Sequence, residues 1–243
     1  MAVLSKISGQ KTRQRVIWSQ KMVGREIGDT FSALNRNGQI GEVVLEARHL
    51  YGSGVKDVSF SLHKGEVLGF AGLIGAGRSE TMQLLFGADK LVSGEIYIDG
   101  KPARIKSPRE AIKAGIGLCP EDRKEQGLVL GRSVRDNLTI PILDAISRNG
   151  IIDRKKERRL SGEAIDKYRI KTHSMEKIAR ELSGGNQQKI ILGRWMLADL
   201  KVLILDEPTK GIDVGAKAEI YQMVCDLARE GLGVIFISLS CRK

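Results

Sequence analysis

The stretch that most constrains the fold is residues 65–87, "GEVLGFAGLIGAGRSETMQLLFG". A short apolar run, "GEVLGFAGL" (65–73), leads straight into a glycine-rich turn, and a helix-forming stretch opens behind it. Strand, glycine turn and helix in that order place unpaired backbone N–H groups at a helix amino end, where they attract anions. Gly72, Gly75, Ala76, Gly77, Arg78, Ser79 and Glu80 make up the turn and the helix entry. The spacing fits the phosphate-loop pattern G-x-x-x-x-G-K-[ST] at every offset except one, where Arg78 stands in the lysine position. Ser79 falls where a hydroxyl would ligate Mg²⁺. Taken alone, such a turn is equally a glycine-rich connection without a ligand.

A second segment favours the ligand. "KVLILDEPT" (201–209) is an unbroken apolar strand ending in two acids, and such strands are buried on both faces of a parallel sheet. Asp206 at its carboxyl end lies where open α/β sheets bind ligands and can hold Mg²⁺. Glu207, next in the chain, can polarise a water for attack on a terminal phosphate. A third segment, "LSGGNQQK" (182–189), opens a helix with Ser183, Gly184, Gly185 and Asn186. That is an anion site, although by itself the segment reads better as an ordinary Ser-capped helix.

Elsewhere the pattern alternates strand and helix. "EVVLEARHL" and "VKDVSFSLH" read as strands, "GEIYIDGKPARI" (94–105) as a hairpin turning at Asp99-Gly100, and "SPREAIKAG" as a helix capped by Ser107 with Pro108 in its first turn. "IGLCP" and "GVIFIS" are further short strands, residues 133–180 are mainly helical in period, and a helix is expected over about 214–230. Alternation of this kind predicts an α/β fold with a mainly parallel core. The net charge of +11 concentrates in the first 25 residues and in "DRKKERR" (153–159), which reads as the solvated start of a helix. With 5% aromatic residues and no nucleic-acid module, no nucleic-acid partner is expected. No apolar run approaches the roughly 18 residues of a membrane span, and Cys119, Cys225 and Cys241 lack metal spacing.

Glycine loop, "LSGGN", "LILDEPT" and "GID", in that order, resemble the ATP-binding cassette of ABC transporters. "AGLIGAGRSE", "CPEDRKEQGL", "LSGGNQQK", "GRW" and "DEPTKGIDVGAK" are similar to the second cassette of the double-cassette ATPases of bacterial monosaccharide importers (ribose, galactose, arabinose, xylose). The resemblance covers about 42–238, and "MVGREIGD" (22–29) resembles the joint after a first cassette. It implies a P-loop NTPase cassette over 42–243, with an antiparallel β subdomain and a helical subdomain at about 120–198, behind a linker and remnant over 1–41. It also implies ATP and Mg²⁺ as cofactors, a second cassette and membrane permease subunits as partners, and a periplasmic sugar-binding protein acting indirectly. The expected place is cytoplasmic, peripheral on the inner face of the plasma membrane. "CPEDRKEQGLVLGRSVRDNL" (119–138) lies where cassettes meet the permease.

The resemblance also bears on turnover. Arg is common at the position of Arg78 in second cassettes, whose own ATP site is held to be degenerate. Guanidinium and ammonium are not equivalent against phosphates, so nucleotide binding is expected to survive and hydrolysis to be weak. Glu121 stands where cassettes carry a metal-sensing Gln, and Leu239 where they carry His. The signature residues Ser183, Gly184, Gly185 and Asn186 are intact and, in such dimers, close over ATP held by the partner cassette. "FISLSCRK" ends before the family's final helix and strands, so a chain shortened at both ends is expected. Two alternatives stand beside an importer ATPase: a nucleotide-binding and dimerisation module without turnover, and a soluble ABC protein of repair or translation.

Overall fold

The computed structural model describes residues 37–73 and 75–238. The chain enters along β1 (Val43–Gly52), turns through Gly54 in the left-handed region (φ 70°) and returns antiparallel as β2 (Val55–His63). Strand β3 (Val67–Ala71) then feeds the glycine turn and α1 (Arg78–Phe86). Next come β4 (Ser93–Ile98) and the short β5 (Lys101–Pro102). Their hairpin turns at Asp99-Gly100 as the sequence predicts, with both residues at positive φ (47° and 72°), which suits the right-handed twist of paired strands. The four strands β2-β1-β4-β5 form an antiparallel sheet.

Helix α2 (Pro108–Lys113) is capped by the Ser107 hydroxyl, which accepts from the Glu110 N–H, and leads into β6 (Ile116–Cys119). A second, parallel sheet takes the order β3-β10-β9-β6, where β9 is Val202–Asp206 and β10 is Gly233–Ser238. All five residues of β9 are buried, as an unbroken apolar strand in a sheet interior should be. Helix α5 (Gly184–Met196) runs into the turn before β9, and α6 (Val214–Arg229) connects β9 to β10. The core joins both sheets through Leu45, Leu62, Leu84, Leu85, Leu203 and Ile235, all fully buried. The expected α/β architecture is present.

Residues 133–180 depart from the helical reading. They contain α3 (Val134–Thr139), a 3-10 turn at Ile140–Ile142, the hairpin β7 (Ser147–Arg148) with β8 (Ile151–Ile152), and α4 (Arg154–Lys167). From 168 to 183 the backbone is irregular apart from one 3-10 turn, Ala179–Glu181. Pro141 cannot continue a helix, and Asn149-Gly150, both at positive φ, make a hairpin turn that periodicity alone overlooks. The "DRKKERR" stretch is the solvated start of α4, as its composition suggests, with Glu157 the one buried residue. Glu157 is 1% exposed, accepts from Arg154 (2.9 Å) and the Thr139 hydroxyl (3.2 Å), and lies 3.4 Å from Arg135. Residues 37–41, expected as part of a linker, dock through the Asn37 side-chain amide, which donates to the carbonyls of Gln39 and Gly65.

Candidate functional site

The glycine turn is shaped by two residues that only glycine serves well. Gly75 (φ 79°) and Gly77 (φ 77°) both occupy the left-handed region, and Gly77 is the residue that opens α1. A Cβ on Gly77 would stand 2.7 Å from the carbonyl oxygen of Gly54, so the β1–β2 turn closes against the base of the loop. A Cβ on Gly75 would meet nothing within 4 Å, so the loop is open on that side. Gly72 has ordinary room beside Ala76 and the Arg78 stem. No side chain caps α1, which leaves its first N–H groups for an outside acceptor. Arg78, in the lysine position, donates to the Ser238 carbonyl at the end of β10 (3.1 Å). Glu80 lies in the first turn, its stem against Gly54.

Strand β9 delivers Asp206 beneath this loop. Ser79, Glu121 and Asp206 line one cleft together. Asp206 is 6% exposed, and its Oδ1 has no hydrogen-bond partner. Burial pushes its carboxyl above the usual carboxylate range; the Ser79 hydroxyl opposes that, and the carboxylates of Glu121 and Glu207 add to it. A buried carboxylate oxygen without a partner, beside a hydroxyl and a second carboxylate, is a donor set for a hard divalent cation such as Mg²⁺. The residues present therefore fit the metal that the spacing implies. Glu207 follows with φ 44°, a conformation that costs a non-glycine residue of order 1–3 kcal/mol and recurs at functional sites. Its N–H bonds the Ile237 carbonyl (3.2 Å), tying the acidic turn to β10.

The signature residues form a second surface. Ser183 precedes α5 with extended backbone, and its side chain caps no N–H. Its hydroxyl instead accepts from the Asn186 amide (3.0 Å), and the Asn186 carbonyl oxygen accepts from the Lys171 N–H (2.8 Å). The first-turn N–H groups of α5 are thus left without a side-chain cap. Gly185 is buried against α6, where a Cβ would come 2.8 Å from that of Ala216. Ser183, Gly184, Gly185 and Asn186 do not line the cleft of Ser79 and Asp206.

Two residues of this region escape the sequence reading. Lys210 forms an ion pair with Glu121, and Arg123 donates to the carbonyls of Lys210 (2.6 Å) and Gly211 (3.3 Å). Glu121 therefore does not face the cleft as a lone carboxylate. The pairing spans 89 residues of sequence, and a charged residue after a strand gives no local sign of its partner. Leu239, weighed as the slot of a missing His, lies outside the described residues.

Fold and cleft together define a P-loop NTPase cassette. The chain belongs to the ABC transporter family, whose model matches residues 55–210. It is 47% identical over 234 residues to the ribose import ATP-binding protein RbsA of Lactococcus lactis subsp. lactis (strain IL1403), an alignment covering 96% of this chain and 47% of that protein. It is 48% identical over 220 residues to RbsA of Geobacillus kaustophilus (strain HTA426), covering 90% and 44%. The chain spans about half the length of the curated relatives it matches. Among solved structures it resembles a nucleotide-free ATP-binding cassette from an ABC transporter, with TM-score 0.69 at 22% identity over 81% of each chain. It also resembles a bacterial ABC transporter cassette solved as a dimer, with TM-score 0.68 at 22% identity over 81% of this chain and 88% of that one. At such identities the likeness concerns the fold.

Proposed function

We propose that the chain is an ATP-binding cassette of an ABC-type monosaccharide importer, coupling ATP binding and hydrolysis to sugar uptake. The observation that carries the reading is the buried, unpartnered Oδ1 of Asp206 beneath an uncapped glycine loop, in a chain about 47% identical to proteins named for ribose import. The backbone N–H groups after Gly75 and Gly77 would receive the phosphates of ATP, and Ser79 and Asp206 would hold Mg²⁺, with Glu121 within its reach. Bound there, the metal neutralises phosphate charge. Glu207 is assigned as the base that orients the attacking water.

Turnover at this cleft is proposed to be weak. The Arg78 guanidinium is engaged by the Ser238 carbonyl, and Glu121 brings a negative charge where an amide would be neutral. The stronger contribution is proposed to be in trans, with Ser183, Gly184, Gly185 and Asn186 closing over nucleotide held by a second cassette, in the manner of the second cassette of the sugar importers. Residues 119–138 and the groove beside them are assigned to a membrane permease, which places the chain peripherally at the inner face of the plasma membrane. A periplasmic sugar-binding protein would act through that permease. Consistent with a peripheral role, no helix among the described residues is long and apolar enough to cross a membrane.

The second reading, a nucleotide-binding module without turnover, is favoured by the same Arg78–Ser238 contact. Steady-state ATPase measurements with Glu207→Gln as control separate the two. Turnover that this change abolishes supports an ATPase; Mg-ATP binding with no turnover above the variant supports the module; and no nucleotide binding at millimolar Mg-ATP sinks both.

A further inference from the structure

The β7–β8 hairpin presents an apolar side chain beside a run of cations. Its two-residue turn, Asn149-Gly150, stands at positive φ (52° and 78°), and Arg148 pairs with Ile151 across it. Residues 148–151 are all exposed, and a Cβ on Gly150 would meet nothing within 4 Å. Ile151 is 74% exposed, while Ile152, on the other face of the strand, is half-buried. The base of the hairpin is fixed. The Asp153 N–H donates to the Ile146 carbonyl (2.9 Å), and the Lys156 ammonium donates to the Ala145 carbonyl (2.9 Å). Helix α4 starts directly behind, so residues 148–159 carry six cations and two acids. Both acids are engaged: Asp153 caps α4 by accepting from the N–H groups of Lys155 and Lys156, and the buried Glu157 holds Arg154 and Arg135. The flanking acids Asp144 and Glu163 pair with Arg109 (2.9 Å) and Arg159 (2.7 Å). Arg148, Lys155 and Arg158 are exposed and enter no ion pair among the described residues.

A single exposed apolar side chain is ordinary on a protein surface. Here it stands next to a hairpin turn, beside cations that have no ion partners. That combines the two signals that hold a protein on a membrane surface: an apolar anchor for the acyl boundary and a basic patch for anionic headgroups. The long Arg and Lys stems can lie along apolar surface while their charged ends stay among the phosphates. A nucleic acid would meet the same cations, but proteins hold single strands by stacking bases on aromatic rings, and residues 148–159 contain no aromatic residue. We propose that the β7–β8 hairpin and the start of α4 form a contact site for anionic lipid headgroups, with Ile151 as the inserted side chain and Arg148, Lys155 and Arg158 as the cations. The proposed function brings the chain to a membrane through a permease; this inference goes beyond it by giving the chain its own contact with lipid, independent of the nucleotide cleft.

The test is flotation of the full chain, without nucleotide, on vesicles of phosphatidylcholine alone or of phosphatidylcholine mixed with anionic phosphatidylglycerol. The mixed vesicles are expected to bind about tenfold more tightly, and added salt should narrow the difference. Because the first 25 residues are basic too, the variants decide. Ile151→Ser should weaken binding to mixed vesicles about fivefold, and Arg148→Gln, Lys155→Gln and Arg158→Gln together about tenfold. All four side chains are exposed, so folding and Mg-ATP binding should be untouched in both variants. In Ile151→Trp, the added indole emission, taken against the wild type, should move to the blue on mixed vesicles and be quenched by brominated acyl chains. Both losses are required. If binding ignores either variant, or the mixed vesicles show no preference, the lipid contact is overturned. If duplex RNA is retained more tightly than mixed vesicles and Ile151→Ser leaves that retention unchanged, the cations belong to a nucleic-acid surface and the lipid contact is equally overturned. Mg-ATP titration of the same proteins judges the proposed function separately, since a failed lipid contact leaves nucleotide binding in place.

Discussion

The cleft below the glycine loop and the start of α5 are both helix amino ends entered through glycine or serine, yet they carry opposite charge. Around the cleft gather Asp206, Glu121 and Glu207, offset by Arg78 and Lys210. At the start of α5 there is no acid in the first turn, and the Arg123 guanidinium lies close enough to Gly184 that a Cβ there would stand 2.8 Å from it. Every helix amino end favours an anion. Adding carboxylates converts the first into a place for a cation that travels with an anion, as Mg²⁺ does with a nucleotide. The second has a guanidinium beside Gly184 and the Asp213 carboxylate 4.0 Å from where a Gly185 Cβ would stand, and under the proposed function it would receive an anion alone. Under the proposed function, that difference would let one chain hold metal-nucleotide at one surface and offer a lid for phosphate at another.

The largest effect expected is at Asp206. Asp206→Asn removes the buried charge that would hold the metal and should lower Mg-ATP affinity by about tenfold or more, ~1.4 kcal/mol, in calorimetric titration. Chelating Mg²⁺ should weaken the wild type in the same way and barely affect the variant. If both proteins respond equally to chelation, the cleft is not the metal's place and the contrast with α5 loses its basis.

Next in size is Gly185→Ala. The added methyl would press on Ala216 and tilt the start of α5 against α6. Binding of Mg-ATP to the cleft should stay within about twofold, less than ~0.5 kcal/mol. ATPase of a mixture with a partner cassette that carries Lys in its loop should fall about tenfold. An equal loss of nucleotide binding would show that the two surfaces are one site.

Much of this arrangement is legible in the sequence because it rests on local rules. The loop at 72–79 and strand β9 announce themselves through glycine spacing and an unbroken apolar run, and Asp99-Gly100 turns where its dipeptide says it should. The helical reading of 133–180 fails where local rules compete. Asn149-Gly150 carries the same hairpin signal as Asp99-Gly100, but within a charged segment the period of the flanking residues drowns it. Long-range pairings leave no local trace at all. Nothing near Glu121 points to Lys210, and nothing near Arg78 points to the carbonyl of Ser238, because each is set by which strands of the parallel sheet lie side by side.

A smaller effect is expected at Arg78. Arg78→Lys exchanges a guanidinium bound to the Ser238 carbonyl for a compact ammonium free to reach between phosphates. Mg-ATP affinity should rise about threefold, ~0.65 kcal/mol, with a comparable rise in any turnover sensitive to Glu207→Gln. Unchanged affinity would mean that Arg78 already serves the phosphates and that its bond to Ser238 yields when nucleotide enters.

The smallest effect belongs to the Glu121–Lys210 pair. Its side chains are 40% and 60% exposed, so Lys210→Ala should leave thermal stability nearly unchanged, as for other surface ion pairs. Its consequence is electrostatic. Without Lys210, the Glu121 carboxylate adds uncompensated negative charge beside Asp206, and metal-free ATP should bind about twofold more weakly, ~0.4 kcal/mol. With Mg²⁺ present the loss should shrink, because the cation takes over the compensation. Glu121→Gln in the Lys210→Ala background should restore metal-free binding, since the amide carries no charge to offset. A double variant as weak as Lys210→Ala alone would show that Lys210 acts on nucleotide directly, and the cleft would then owe its charge balance to ligand contact rather than to the pairing of its own side chains.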